Sequence, residues 1–112
     1  SKEKLAKTFW DWGIPAPLCV LECKDLGIPL IASSGIRSGL DIAKALVLGA
    51  SCVSIAKPLL KNALEGEEKL KEQILQILEE LKVAMFLTNC REIEDLKKVR
   101  YWIVGRLREF CL

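Results

Sequence analysis

The chain has 112 residues and a net charge of +2, with Lys and Arg interspersed among Asp and Glu rather than clustered, so it has no electrostatic footprint for nucleic acid. No apolar run reaches membrane-spanning length and no leader pattern is visible, which predicts a cytoplasmic protein with no membrane partner. The sequence contains no His, which removes the usual partner of a nucleophile–base pair.

In chain order, Lys2 to Trp12 reads as a helix, with Leu5, Phe9 and Trp12 at helical spacing and Gly13 as its stop. Trp10 and Trp12 are expected to pack toward a core; stacking on a planar cofactor is the alternative. Pro17 starts a short helix through Leu26, ended by Gly27, with a strand over Leu18 to Cys23 as the competing assignment. Residues 29–33 and 51–55 read as short strands buried on both faces, with a helix over 38–48 between them, the pattern of a βαβ unit on a parallel sheet. Pro58 to Leu64 is a short helix closed near Gly66. Glu67 to Thr88 is the longest helix, its apolar stripe running through Leu70, Ile74, Ile77, Leu78, Leu81, Ala84 and Met85, and Glu67 and Lys71 placed to pair on the other face. A further short helix is expected over 91–98, an extended segment over 101–104 and a last helical turn over 106–110. Cys19, Cys23, Cys52, Cys90 and Cys111 are odd in number and form no Cys-x-x-Cys pair, so they read as reduced structural residues and no metal site is expected.

The chemistry concentrates in Ile28 to Asp41, where a strand leads through Ser33-Ser34-Gly35 into a helix. Ser38 is placed to cap that helix, with Asp41 three residues on closing a capping box. Free N–H groups and the helix dipole suit a phosphate there. Gly35 lets the backbone come close to an anion, and Arg37 adds a charged donor. The next strand also opens onto a helix start, Ala56-Lys57-Pro58, so two neighbouring loops converge. In (β/α)8 barrels a phosphate often sits at the loops after strands 7 and 8. No general acid or base stands in this corner.

Phe9-Trp10-Asp11-Trp12-Gly13-Ile14-Pro15, the run Ile31 to Leu46 with Gly35-Ile36-Arg37-Ser38-Gly39, and Leu48-Gly49-Ala50 resemble the C-terminal part of the type 2 isopentenyl-diphosphate isomerases. So do Glu79 to Thr88 and Gly105-Arg106-Leu107-Arg108-Glu109. The resemblance covers nearly the whole chain. It implies an α/β, helix-rich fold, the last strands and helices of a TIM (β/α)8 barrel. A whole barrel needs about 250 residues, so the chain is expected to be a single partial domain, about the last quarter of one.

The resemblance further implies that the parent enzyme interconverts isopentenyl and dimethylallyl diphosphate, using reduced FMN, with NADPH to reduce it and Mg2+ for the substrate diphosphate. The catalytic, metal and substrate residues would lie in segments outside this one. What carries over is the grip on the FMN phosphate by Ser34, Gly35, Ile36 and Arg37 after one strand and by Ala56 and Lys57 after the next. The family carries Ser-Gly-Gly where this chain has Ser33-Ser34-Gly35. If position 34 takes a positive φ, Ser there costs of order 1 kcal/mol, while its hydroxyl offers an extra phosphate donor. Two other readings compete. One is an FMN barrel oxidoreductase, against which the missing His argues. The other is a non-catalytic fragment that self-associates. On any of these readings, the open strand edges of the fragment predict a homo-oligomer.

Overall fold

The computed structural model describes residues 1–111. Its elements are α1 (Lys2–Thr8), α2 (Ala16–Cys23), β1 (Ile31–Ala32), α3 (Gly39–Leu48), β2 (Cys52–Val53), α4 (Lys57–Glu65), α5 (Glu67–Leu87), α6 (Ile93–Leu96) and α7 (Arg106–Glu109). The fold is helix-rich, built around a two-stranded parallel sheet in which Ile31 pairs with Cys52 and Ala32 with Val53. Helix α3 makes the crossover between the strands, as the alternation of apolar run, helix and apolar run requires.

Local chemistry fixes the ends of α3. Ser38 has an extended backbone, and its Oγ accepts the Asp41 N–H at 3.1 Å. At the other end the Gly49 N–H donates to the Ala45 and Leu46 carbonyls. Gly49 has φ 121°, and a Cβ there would lie 2.8 Å from Lys24 Cβ, so both conformation and space demand glycine. Ser51 ties the two strands together before the ladder begins. Its N–H donates to Leu30 O at 2.8 Å, and its Oγ accepts the Leu30 N–H at 2.9 Å.

Helix α3 packs mainly on α5. The contact is close because Gly39 has no side chain. A Cβ there would run into Ile77 O, Leu81 N and, at 2.6 Å, Glu80 Cβ. The core is small: Val20, Ala32, Ala45 and Ala50, with Leu30, Ile36, Leu48 and Val53 against it. Helix α4 is joined to α5 by Gln73, which accepts from Asn62 Nδ2 at 2.8 Å and donates to Pro58 O at 2.8 Å.

Several expectations are corrected. The α1 helix ends at Thr8, not Trp12, and Trp10 and Trp12 are 83% and 81% exposed rather than in the core. Helix α1 has no buried residue at all, so no packing face carries its pattern further. Segment 18–23 is helical, which disposes of the competing strand. The strands are shorter than 29–33 and 51–55, and they are covered on one face only: Ala32 is buried while Ile31 is 63% exposed. In the stripe of α5, Ile77 is buried, but Ile74 and Leu78 remain exposed. The surface pair across the α4–α5 boundary is Glu65 with Lys69 at 3.7 Å rather than Glu67 with Lys71. Asp41 closes no strict capping box, since its carboxylate accepts from Arg37 N, one residue before the cap.

The molecule is open. Its accessible surface is 9079 Å², where a folded monomer of 12.5 kDa exposes about 6,200 Å². The radius of gyration is 16.1 Å, against about 13 Å for a compact domain of this length. No helix among the described residues is long and apolar enough to cross a membrane.

Candidate functional site: a cavity at two strand exits

Beyond Ala32 the chain enters a tight turn. Ser34 and Gly35 both have φ 74°. Glycine adopts this left-handed conformation freely, whereas Ser does so at a cost of about 1 kcal/mol. Position 34 thus takes the conformation for which glycine is the undemanding residue. Beyond Val53 the second strand opens directly onto α4, whose first residue is Lys57 and whose N-cap, Ala56, has no side-chain hydrogen bond. The Ser54 N–H donates to Ala32 O at 2.8 Å, and this bond brings the two exits side by side.

Between them lies a cavity of about 620 Å³, lined by Ser33, Ser34, Gly35, Ile36, Arg37, Ser54, Ile55, Ala56, Lys57 and Pro58. Every residue singled out from the sequence, Ser34, Gly35, Ile36 and Arg37 on one loop and Ala56 and Lys57 on the other, is on that wall. The start of α3 is not: Ser38 lies outside the lining. The helix whose N-terminus opens into the cavity is α4. Ser33, Ser54, Ile55 and Pro58 were not singled out; their signal was their place beside the same two strand ends.

The electrostatics are one-sided. Arg37 and Lys57 are the only charged residues in the lining, both are exposed, and neither enters an ion pair among the described residues. The N–H groups of Ser34, Gly35, Ile36, Ala56 and Lys57 make no hydrogen bond among the described residues. Unpaired donors, two cations and a helix N-terminus suit a phosphate monoester, so the donor set fits the phosphate end of a flavin nucleotide. A Cβ on Gly35 would meet nothing within 4 Å, so the room there is open to a ligand. The Arg37 N–H is already taken by Asp41 Oδ2 at 3.0 Å, which leaves Arg37 its guanidinium for an anion. The turn also lines a second cavity of about 300 Å³, together with Asp41 and Lys44. Among the described residues, no group of three or more His, Cys, Asp or Glu side chains gathers to hold a metal ion.

The chain is similar in sequence to known proteins. The chain is 44% identical over 102 residues to the isopentenyl-diphosphate delta-isomerase of Archaeoglobus fulgidus, covering 91% of this chain and 29% of that protein. It is 43% identical over 109 residues to the enzyme of the same name from Methanococcus aeolicus, covering 96% of this chain and 31% of that one. Against that of Methanocaldococcus jannaschii the figures are 44% over 110 residues, 96% and 30%. The chain therefore spans about three-tenths of the length of these curated relatives. A family model described as FMN-dependent dehydrogenase matches residues 13–103, which include both strands, both strand exits and the whole cavity lining. By that match, this chain belongs to the FMN-dependent dehydrogenase family.

Proposed function

We propose that this chain is the FMN-phosphate grip of an isopentenyl-diphosphate delta-isomerase, formed by the last strands and helices of a (β/α)8 barrel and making up one partial domain over residues 1–112. The observation that carries the reading is the single cavity shared by the left-handed Ser34–Gly35 turn and the N-terminus of α4, in a chain 42–44% identical to isomerases of that name. Arg37 and Lys57 neutralise the phosphate, and the free N–H groups of Ser34, Gly35, Ile36, Ala56 and Lys57 orient it. The flavin, when bound, supplies the proton-transfer chemistry of the parent enzyme. By the resemblance to that family, the isoprenoid diphosphate, NADPH and Mg2+ are engaged by other segments of the parent. An oxidoreductase of the same family is the weaker reading, because the chain contains no His. Five unpaired thiols support a reducing, cytoplasmic setting.

The excess of surface over a compact monomer, about 2,900 Å², supports a homo-oligomer for the isolated chain, since a standard interface takes about 800 Å² from each partner. Sedimentation should show association at micromolar concentration; a monomer throughout would contradict it. The purified chain mixed with isopentenyl diphosphate, FMN and NADPH should show no turnover. It should hold inorganic phosphate weakly and FMN poorly, because the contacts to the flavin ring come from elsewhere. Turnover above a blank would overturn the assignment of this segment as a phosphate grip alone.

A further inference from the structure

We infer that Asp41 is the positioning residue of the anion-binding turn: it holds Ser34–Arg37 in place over the cavity through the Arg37 N–H, and its charge limits how tightly an anion is held. The inference rests on the phosphate reading of the cavity and assigns a role that reading does not contain.

The turn has little else to hold it. Among the described residues, no backbone N–H or C=O of residues 33–36 makes a hydrogen bond, and the Arg37 N–H to Asp41 Oδ2 bond at 3.0 Å is the one that ties the turn to the rest of the chain. The Ile36 side chain, packed against the core, is the other anchor. Asp41 itself is fixed. Its N–H donates to Ser38 Oγ at 3.1 Å, and the first turn of α3 is pressed on the backbone of α5 at Gly39. Position is thereby passed from the α3–α5 contact through one carboxylate to a turn carrying two consecutive left-handed residues. Without the tether, those residues are free to leave a conformation that Ser34 disfavours. Asp41 is a half-buried residue and lines the second cavity, which shares Ser33 to Ile36 with the larger one, and its Oδ2 stands 3.0 Å from the Arg37 nitrogen. A fixed negative charge that close opposes an anion at Ser34–Arg37 while its hydrogen bond favours one.

These two effects have separable signatures. Asp41→Ala removes both, and Asp41→Asn keeps the acceptor while removing the charge. The probe is inorganic phosphate, titrated against the full 15N-labelled chain at low and at high salt, with amide exchange of Arg37 read on the same samples. Asp41→Ala should bind phosphate about tenfold more weakly than the parent chain and lose Arg37 amide protection. Asp41→Asn should keep that protection and bind phosphate more tightly than the parent at low salt, with the gain shrinking as salt is added. A residue that merely stabilised α3 would give Asp41→Asn no gain and no salt dependence. If Asp41→Ala does not fold, the Asn variant decides alone: phosphate binding no tighter than the parent's at low salt overturns the inference. Lost Arg37 protection with unchanged phosphate affinity also overturns it and leaves the phosphate reading standing. A parent chain that shifts no amide of the turn with phosphate removes the phosphate reading, and the inference with it.

Discussion

Two turns in this molecule use the same local device. At one, the Arg37 N–H donates to the Asp41 carboxylate four residues on; at the other, the Arg91 N–H donates to Asp95 at the same spacing, at 3.0 Å in both cases. Each follows a non-glycine residue with positive φ, Ser34 at 74° and Asn89 at 58°. Asp95 is the better-supplied carboxylate. It also accepts the Glu92 N–H at 2.9 Å, and those two backbone bonds, from Glu92 and then Arg91, hold its carboxyl below the ordinary value of 3.8. Yet among the described residues only the first turn faces a second loop carrying a helix N-terminus and a lysine outside any ion pair. The second turn lines a depression with its own neighbours, Thr88 to Arg91, Lys98 and Val99, in which Asp95 stands among Arg91 and Lys98. A tethered turn is thus a matter of local sequence. A site for an anion needs, in addition, the parallel strand that brings Ala56 and Lys57 alongside.

The largest expected effect is on the scaffold behind the first turn. Gly39→Val drives a side chain into the backbone of α5 and should cost about 3 kcal/mol, read as a shift in the urea unfolding midpoint; an unchanged midpoint would mean α3 does not depend on that contact. Next, Arg37→Ala should weaken phosphate binding by about 1–3 kcal/mol, while Arg91→Ala leaves it unchanged. Equal losses would erase the distinction between the two turns. Ser34→Gly should stabilise the chain by about 1 kcal/mol by relieving the left-handed backbone, whereas Asn89→Gly should do less, since Asn tolerates that region. Thermal unfolding of the two variants gives the comparison directly. The smallest effect belongs to acid. Because the folded Asp95 carboxyl is depressed, its contribution is present above the ordinary value and lost as pH falls through the folded one. The Arg91 and Glu92 amide shifts should therefore titrate with a midpoint below 3.8; a midpoint at or above it would contradict the two-bond arrangement.

The cavity was legible in the sequence because its parts are local. An apolar run, a polar Gly-bearing turn, a capping Ser and a second run ending at Ala56-Lys57-Pro58 dictate two strand exits on one side of a parallel pair, and all six residues singled out fall on one wall. The positive φ at position 34 was foreseeable from the missing glycine. The tether was not, since a carboxylate three residues after a cap reads as bonding the cap's own N–H, whereas in the structure it reaches Arg37. Burial was the least legible property. Leu5, Phe9, Trp12, Ile31, Ile74 and Leu78 lie at spacings that announce a packed face, and all are exposed. Periodicity records that a face is apolar; whether it is covered depends on surfaces far away in sequence or in another chain.

On the proposed reading, the cavity between Ser34–Arg37 and Ala56–Lys57 receives a phosphate. Titration of the 15N-labelled chain with inorganic phosphate tests it most directly. The largest amide shifts should fall within residues 33–37 and 54–57, on the two loops that line the cavity. Largest shifts around Arg91–Asp95, or anywhere else outside those two loops, would contradict it.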